Sequence, residues 1–180
     1  MNAIALFQEL ARYNTWMNRN IYGACAELND EERKRDLSAF FRSIHGTLNH
    51  LLLTDRVQLG RFIGADRVRS LDSKGIEIPI RSLDQRLYEN FDELRRERER
   101  TDALIEEWTL RELSDEALGR TMRYRAMSAD GEFLVPVSIA VAHFFNHQTH
   151  HRGQITTLLV QLGHDPGVTD LMAMHRRRIE

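Results

Sequence analysis

The scarcity of proline is the feature that most constrains how this chain can fold. Its 180 residues contain only three prolines, Pro79, Pro136 and Pro166, so long stretches are free to be helical. Apolar residues recur along these stretches at steps of three and four, which is the spacing of one helix face. The pattern predicts an all-α protein.

Four long helices follow from this spacing. The first covers about Ala3 to Leu28, and the second runs from near Ser43 to Phe62. The third carries apolar residues from Leu83 to Trp108, and the fourth begins at Pro136 and ends at Gly163. Four such helices predict a four-helix bundle, a fold in which facing helices commonly build metal sites.

The segments between these helices are short and polar or rich in turn residues. The run 30–36 is expected to be a connection between helices. Within the third helix, the run 95–100 is expected to be a solvated face. Asp130-Gly131 lies between two strand-like segments and indicates a short hairpin before the last long helix. A short helical piece is expected at about 169–175. Because no repeat or linker is visible, residues 1–180 are expected to form a single domain.

Composition limits the classes of function. The net charge of −2 gives no broad electrostatic footprint for nucleic acid, so no nucleic-acid partner is expected. The single cysteine, Cys25, excludes an intramolecular disulfide and fits a reducing compartment. No apolar run is long enough to span a bilayer, and the first residues do not read as a signal peptide. A cytoplasmic protein without a membrane partner is expected.

Histidines are concentrated near the end of the chain. Four of the eight lie between His143 and His151. His147 and His151 are four residues apart, so in a helix their imidazoles stand on one face and can bind one transition metal ion. A lone histidine on an apolar face is more often a hydrogen-bonded core residue. Burying several neighbouring imidazoles without a partner would be costly, however, which favours the metal.

A third ligand has to come from another helix. His45 and His50 are the candidates on the second helix, whereas His164 and His175 are expected to be exposed to solvent. In an ideal helix, His50 lies off the apolar stripe and on a second line with Thr47, Thr54 and Val57. Because the second helix is apolar around most of its circumference, periodicity alone does not choose between the two lines.

The same segment invites comparison with zinc proteases. The spacing of His147 and His151 matches the pattern His-Glu-x-x-His, but Gln148 stands where the general base should be. An amide cannot accept a proton from a metal-bound water, so the protease mechanism is not supported.

Three motifs in order resemble the DinB/YfiT-like family of small bacterial metal-binding four-helix bundles. They are Tyr13–Asn18 on the first helix, Ser43–His50 with Asp55 on the second, and Asn146–Gln154 on the fourth. The resemblance covers nearly the whole chain. It implies that the metal ligands are one histidine of the second helix and the pair on the fourth, here His50, His147 and His151.

The resemblance also gives expectations for the neighbouring residues. His143 and His150 would be neighbours of the site rather than ligands. Asp55 could orient a ligand, bond to backbone or simply pack, and Gln154 could hydrogen-bond a ligand or a metal-bound water. Arg152 is expected to be a surface or interhelix ion-pair residue. Tyr13, Asn14 and Trp16 are expected in the core and between helices.

Three neutral imidazoles leave at least one open coordination position, which is the layout of a catalytic site. Zinc and nickel both suit imidazole ligands. The resemblance implies an enzyme, either a hydrolase or a transferase that activates a low-molecular-weight thiol, acting on a small molecule. The alternative is a non-catalytic stress-response module that binds a metal or small ligand, or uses a metal to brace the bundle. The resemblance and the apolar second helix also suggest a homodimer, although a thick monomer core would explain that helix equally well.

Overall fold

A computed structural model, which describes residues 2–127 and 129–176, shows a helical bundle. Its long helices are α1 (Ala3–Ala26), α3 (Ile44–Ile63), α4 (Phe91–Arg111) and α6 (Val137–Gln161). The shorter elements are helices α2 (Asp30–Lys34), α5 (Asp115–Leu118) and α7 (Leu171–His175), a 3-10 turn at Ala65–Val68, and strands β1 (Thr121–Arg125) and β2 (Glu132–Pro136). The predicted all-α bundle is confirmed, and the predicted hairpin is present as the antiparallel pair β1–β2.

The four long helices do not pack simply in chain order. Helices α1 and α3 each pack against both α4 and α6, so they occupy opposite corners of the bundle. Helix α6 therefore lies directly beside α3, although about 75 residues separate the two along the chain. The packing of α6 against α3 determines which side chains lie close to the histidines of α6.

Side-chain caps define the starts of the first three long helices. Asn2, Ser43 and Asn90 each accept a hydrogen bond from the backbone N–H three residues ahead, which satisfies a donor that the helix leaves free. The fourth long helix begins immediately after Pro136, at the position predicted from the sequence.

The third long helix begins at Phe91, so its predicted start near Leu83 was wrong. The buried Asn49 side chain accepts hydrogen bonds from the backbone N–H groups of Leu87 and Tyr88, at 2.8 and 2.9 Å. These contacts hold the backbone in a non-helical connection while Leu87 and Tyr88 remain buried. Their apolar side chains fit the spacing of the third helix, although these residues lie outside it.

The polar run 30–36 also differs from its prediction as a plain connection. Asn29 and Glu32 form a capping box, in which each side chain accepts a hydrogen bond from the other residue's backbone N–H. Acidic residues occupy the first turn of α2 and basic residues its last turn, an arrangement that suits the helix dipole. Local interactions thus stabilise a short helix here.

The core consists of two apolar clusters with a polar layer between them. Residues such as Met17, Leu48, Leu94 and Ile155 form one cluster, and Phe7, Leu59, Trp108 and Phe144 belong to the other. At the level between them, every long helix contributes buried polar side chains, which are Asn14, Asn18, Asp55, Arg98, Asp102, Gln148 and Arg152.

Both lines of α3 are largely buried within the chain itself. Leu48 and Leu52 face the core, and His50 and Thr54 are also buried. The apolar circumference of this helix is therefore accounted for by the monomer core, and the homodimer stays a prediction. Within the described part of the chain, no helix combines the length and apolar character needed to cross a membrane.

Candidate metal centre

Helices α3 and α6 bring together the three predicted histidines. His50, His147 and His151 each offer one ring nitrogen, and these three atoms lie within 4.8 Å of one another. The Nε2 atoms of His147 and His151 are 3.1 Å apart. The line of α3 that carries His50 and Thr54 faces α6, so the tertiary packing selects His50.

Hydrogen bonds set the tautomers of two of these histidines. His50 Nδ1 lies 2.7 Å from the Leu83 carbonyl oxygen, and His151 Nδ1 lies 2.7 Å from Gln154 Oε1. Each Nδ1 must donate because its partner is an oxygen acceptor, so each Nε2 carries a lone pair. Metal-binding histidines are commonly oriented in this way by an acceptor on the far ring nitrogen.

The arrangement leaves a polar atom that a cation would satisfy. His50 Nε2 is buried and has no hydrogen-bond partner among the described residues. In a tetrahedral zinc site with bonds of about 2.0–2.1 Å, ligand nitrogens are roughly 3.4 Å apart, close to the separation of His147 and His151 Nε2. The donor set therefore fits a divalent ion such as zinc or nickel.

The histidines are also in the protonation state that a metal requires. Burial lowers the pKa of His50 to about 4 and, together with the neighbouring imidazoles, lowers the pKa of His147 to about 3. Burial lowers the pKa of His151 as well. All three rings are consequently neutral near pH 7, and their lone pairs are available as ligands.

The cluster is packed against an aromatic ring and borders two cavities. The Phe41 ring stacks on His50 with its centroid 3.8 Å away and meets His151 edge-on. His50 and His151 border a second cavity beside Phe41, and His50 and His147 line a cavity of about 390 Å³ between α3, α6 and the hairpin. This volume is within the range of small-molecule sites.

The remaining histidines of the two helices have different roles. His143 is exposed and lines the cavity, with its ring centroid 5.7 Å from that of His147. His150 is exposed next to His151 and lies 3.3 Å from the Gln154 amide nitrogen. His45 is buried away from the cluster, where Nε2 donates to the Tyr88 carbonyl oxygen at 2.9 Å.

The two histidines near the C-terminal end lie elsewhere. His175 is exposed beside Glu9, at 3.2 Å, as the sequence predicted. His164 is partly buried rather than fully exposed.

Asp55 belongs to the polar layer. It is 1% exposed, and its Oδ2 accepts a hydrogen bond from Arg98 at 2.6 Å. Arg98 also lies 2.8 Å from Asp102. Asp55 thus contacts a buried guanidinium, and its contacts do not include the histidines.

Arg152 is buried between helices, so of its two predicted placements the surface one was wrong. Its guanidinium donates to the Asn14 side-chain oxygen, and the Asn14 amide donates to Asp102 at 3.0 Å. Gln148, which occupies the general-base position of the zinc-protease pattern, is buried in the same layer. Asn14 packs between helices as expected, but through hydrogen bonds rather than apolar contacts.

Sequence reasoning missed this layer because Arg98 lies inside a charged run. A signal was nevertheless present, since Arg98 and Asp102 continue the helical stripe of Phe91, Leu94 and Ile105. Burial raises the pKa of Asp102 to about 6 against the opposing effect of Arg98. Burial by itself lowers the pKa of Arg98, but the carboxylates of Asp102 and Asp55 raise this pKa overall.

Removing the acceptor on His151 should weaken metal binding without altering the fold. We expect Gln154→Leu to lower metal affinity by about 10–100-fold, because His151 Nδ1 loses the oxygen that orients its ring. Titration with zinc against a chromophoric chelator measures this change. Gln161→Leu, an exposed position at the end of the same helix, is the matched control. Equal affinities for the two variants would contradict the orienting role of Gln154.

The fold and the site together define a class of protein, the helical bundles with a three-histidine candidate metal centre beside a cavity. A model of the DinB family matches residues 1–180, and the chain belongs to that family. Protein DinB of Bacillus subtilis (strain 168) is 28% identical over 164 residues, which cover 90% of this chain and 89% of that protein. No solved structure matches the chain.

Proposed function

We propose that this protein is an enzyme that depends on a divalent metal and acts on a small molecule. His50, His147 and His151 would hold the ion, with zinc or nickel the best candidates. The observation that carries the proposal is the position of this cluster at the wall of a cavity of about 390 Å³. A structural zinc site, in contrast, is usually closed by four protein ligands.

The chain's own residues complete the chemistry of this site. A bound divalent ion supplies Lewis acidity and lowers the pKa of water or of a thiol. Gln154 and the Leu83 carbonyl hold the ligand rings in place through the hydrogen bonds described above. His143 exposes an imidazole to the same cavity, where it can accept or return a proton.

The reaction is either hydrolysis or transfer of a low-molecular-weight thiol. Among the described residues that line this cavity, none carries a carboxylate, and Asp84 lines a separate cavity beside His50 and His151. An acidic general base is therefore missing on the side of the cluster that holds His143. His143 is the candidate proton acceptor in its place. Thiol transfer depends less on such a base because the metal itself can ionise a thiol, and we therefore favour it.

Chelation separates this proposal from a metal that only braces the bundle. We expect protein stripped with a chelator to lose turnover in thiol-transfer and hydrolysis screens and to regain it with one equivalent of zinc or nickel. Its helical circular dichroism should persist, because neither apolar cluster includes any of the three histidines. Elemental analysis of the stripped protein, side by side with the His50→Ala variant, shows whether chelation emptied the three-histidine site. If chelation unfolds the protein, the bracing role is correct instead.

A further inference from the structure

We propose that the cavity beside the histidines takes an elongated, mostly apolar small molecule with an anionic end, and that Arg61 binds the anion. This inference rests on the proposed function, because the cavity is the substrate site of the same enzyme. It adds the chemical class of the substrate and a residue that selects it.

One face of α3 runs the length of the cavity. His50, Thr54, Gln58 and Arg61 follow one another at steps of three and four, and all four line it. The backbones of His50 and Arg61 are about 16 Å apart along the helix axis at 1.5 Å per residue. A ligand that reaches from the histidines toward Arg61 is therefore elongated.

The walls between these two ends are mainly apolar. Met122 and Tyr124 project from one face of β1, Val135 stands opposite Met122 on β2, and Ile139 comes from α6. Among the described lining residues, Arg61 is the only one with a permanent charge. A neutral wall with one guanidinium at its far end suits an apolar body that carries a carboxylate or another anion.

Two contacts hold the Arg61 side chain in place and leave several of its N–H donors free. Its guanidinium lies 4.6 Å from the centroid of the Tyr124 ring, and Nη2 donates to the Arg125 carbonyl oxygen at 3.1 Å. Within the described part of the chain, no carboxylate lies within ion-pair distance of Arg61, whereas Arg67 pairs with Glu112. A guanidinium has five N–H donors, so several remain for a bidentate anion.

The same contacts could serve only to fasten the hairpin to α3, and the test has to distinguish the two roles. The probes are phenylvalerate and its neutral amide, phenylvaleramide, which differ in charge and little in shape. Their dissociation constants are measured by calorimetry on the full chain, both as purified with its metal and after chelation. The variants are Arg61→Met and Arg61→Lys, with Arg120→Met as the control, because Arg120 is exposed and paired with Glu116.

We expect the wild type to bind the acid about 10-fold more tightly than the amide, the scale of one charge-assisted hydrogen bond. Arg61→Met should bring the acid to within about 2-fold of the amide while amide affinity stays unchanged. Arg61→Lys should keep part of the preference, and Arg120→Met all of it. An unchanged amide affinity shows that the cavity is intact. If Arg61 only fastened the hairpin to α3, its loss would disturb the cavity and lower the amide affinity as well.

Three results overturn the inference. The first is equal binding of the acid and the amide by the wild type. The second is a preference for the acid that survives Arg61→Met. The third is a preference that disappears on chelation, which would mean that the carboxylate was bound to the metal. Failure of the proposed function is distinguishable, because elemental analysis of the same samples reports the metal. The Arg61-dependent preference is expected in the metal-free chain as well.

Discussion

Replacing His147 or His151 with alanine is expected to lower the metal content of the purified protein well below stoichiometric. Structural zinc binds with roughly 10–16 kcal/mol in total, so each of three or four ligands contributes about 3–4 kcal/mol. Loss of one imidazole should therefore weaken binding by roughly 10²–10³-fold. In either variant the two remaining imidazoles are already neutral near pH 7, so they cannot become better ligands by losing a proton. Elemental analysis of protein purified without an affinity tag measures the result.

The matched control is His175→Ala. His175 is exposed beside Glu9 and distant from the cluster, so its loss should leave the metal content at the wild-type value. Metal retained by the His151→Ala protein would contradict the assignment of the ligands. Loss of metal in the His175→Ala protein would show that binding in the wild type is unspecific.

Replacement of Arg98 with methionine is expected to destabilise the bundle strongly. Arg98 is 2% exposed and lies against Asp55 and Asp102, which are equally buried. Methionine fills a similar volume but leaves two buried carboxylates without their cation. Breaking a buried ion pair from one side costs about 3–5 kcal/mol of unfolding free energy. Urea denaturation at pH 8, followed by circular dichroism, measures the loss.

The penalty of Arg98→Met should depend on pH. Burial already raises the pKa of Asp102 to about 6, and removal of the guanidinium raises it further. A carboxyl whose pKa is higher in the folded than in the unfolded state loses stability as pH rises through that interval. The variant should therefore be less destabilised at pH 5 than at pH 8.

An exposed ion pair on the same helix provides the comparison for Arg98. Arg111 pairs with Glu107 four residues earlier, and Arg111→Met should change the unfolding free energy by no more than about 0.5 kcal/mol. If Arg98→Met cost as little as Arg111→Met, the buried layer would not hold the four helices together.

Local rules predicted most of the bundle because helix signals are local. The spacing of apolar residues, the cap at Ser43 and the proline before Val137 all act within a few residues of each other. The third helix shows where these rules fail. Residues before Phe91 fit the apolar spacing, but the hydrogen bonds that their backbone N–H groups donate to Asn49, about forty positions away, hold them in another conformation.

For the candidate site, the sequence by itself determined the pair His147 and His151, since the helical rise places residues four apart on one face. Only the tertiary structure decided that the His50 line of α3 meets this pair, because an almost uniformly apolar helix has no single preferred face. It also decided that Arg98 pairs with Asp55 of α3 and that Arg61 borders the cavity. Those outcomes depend on contacts between distant residues, which the spacing along one helix does not encode.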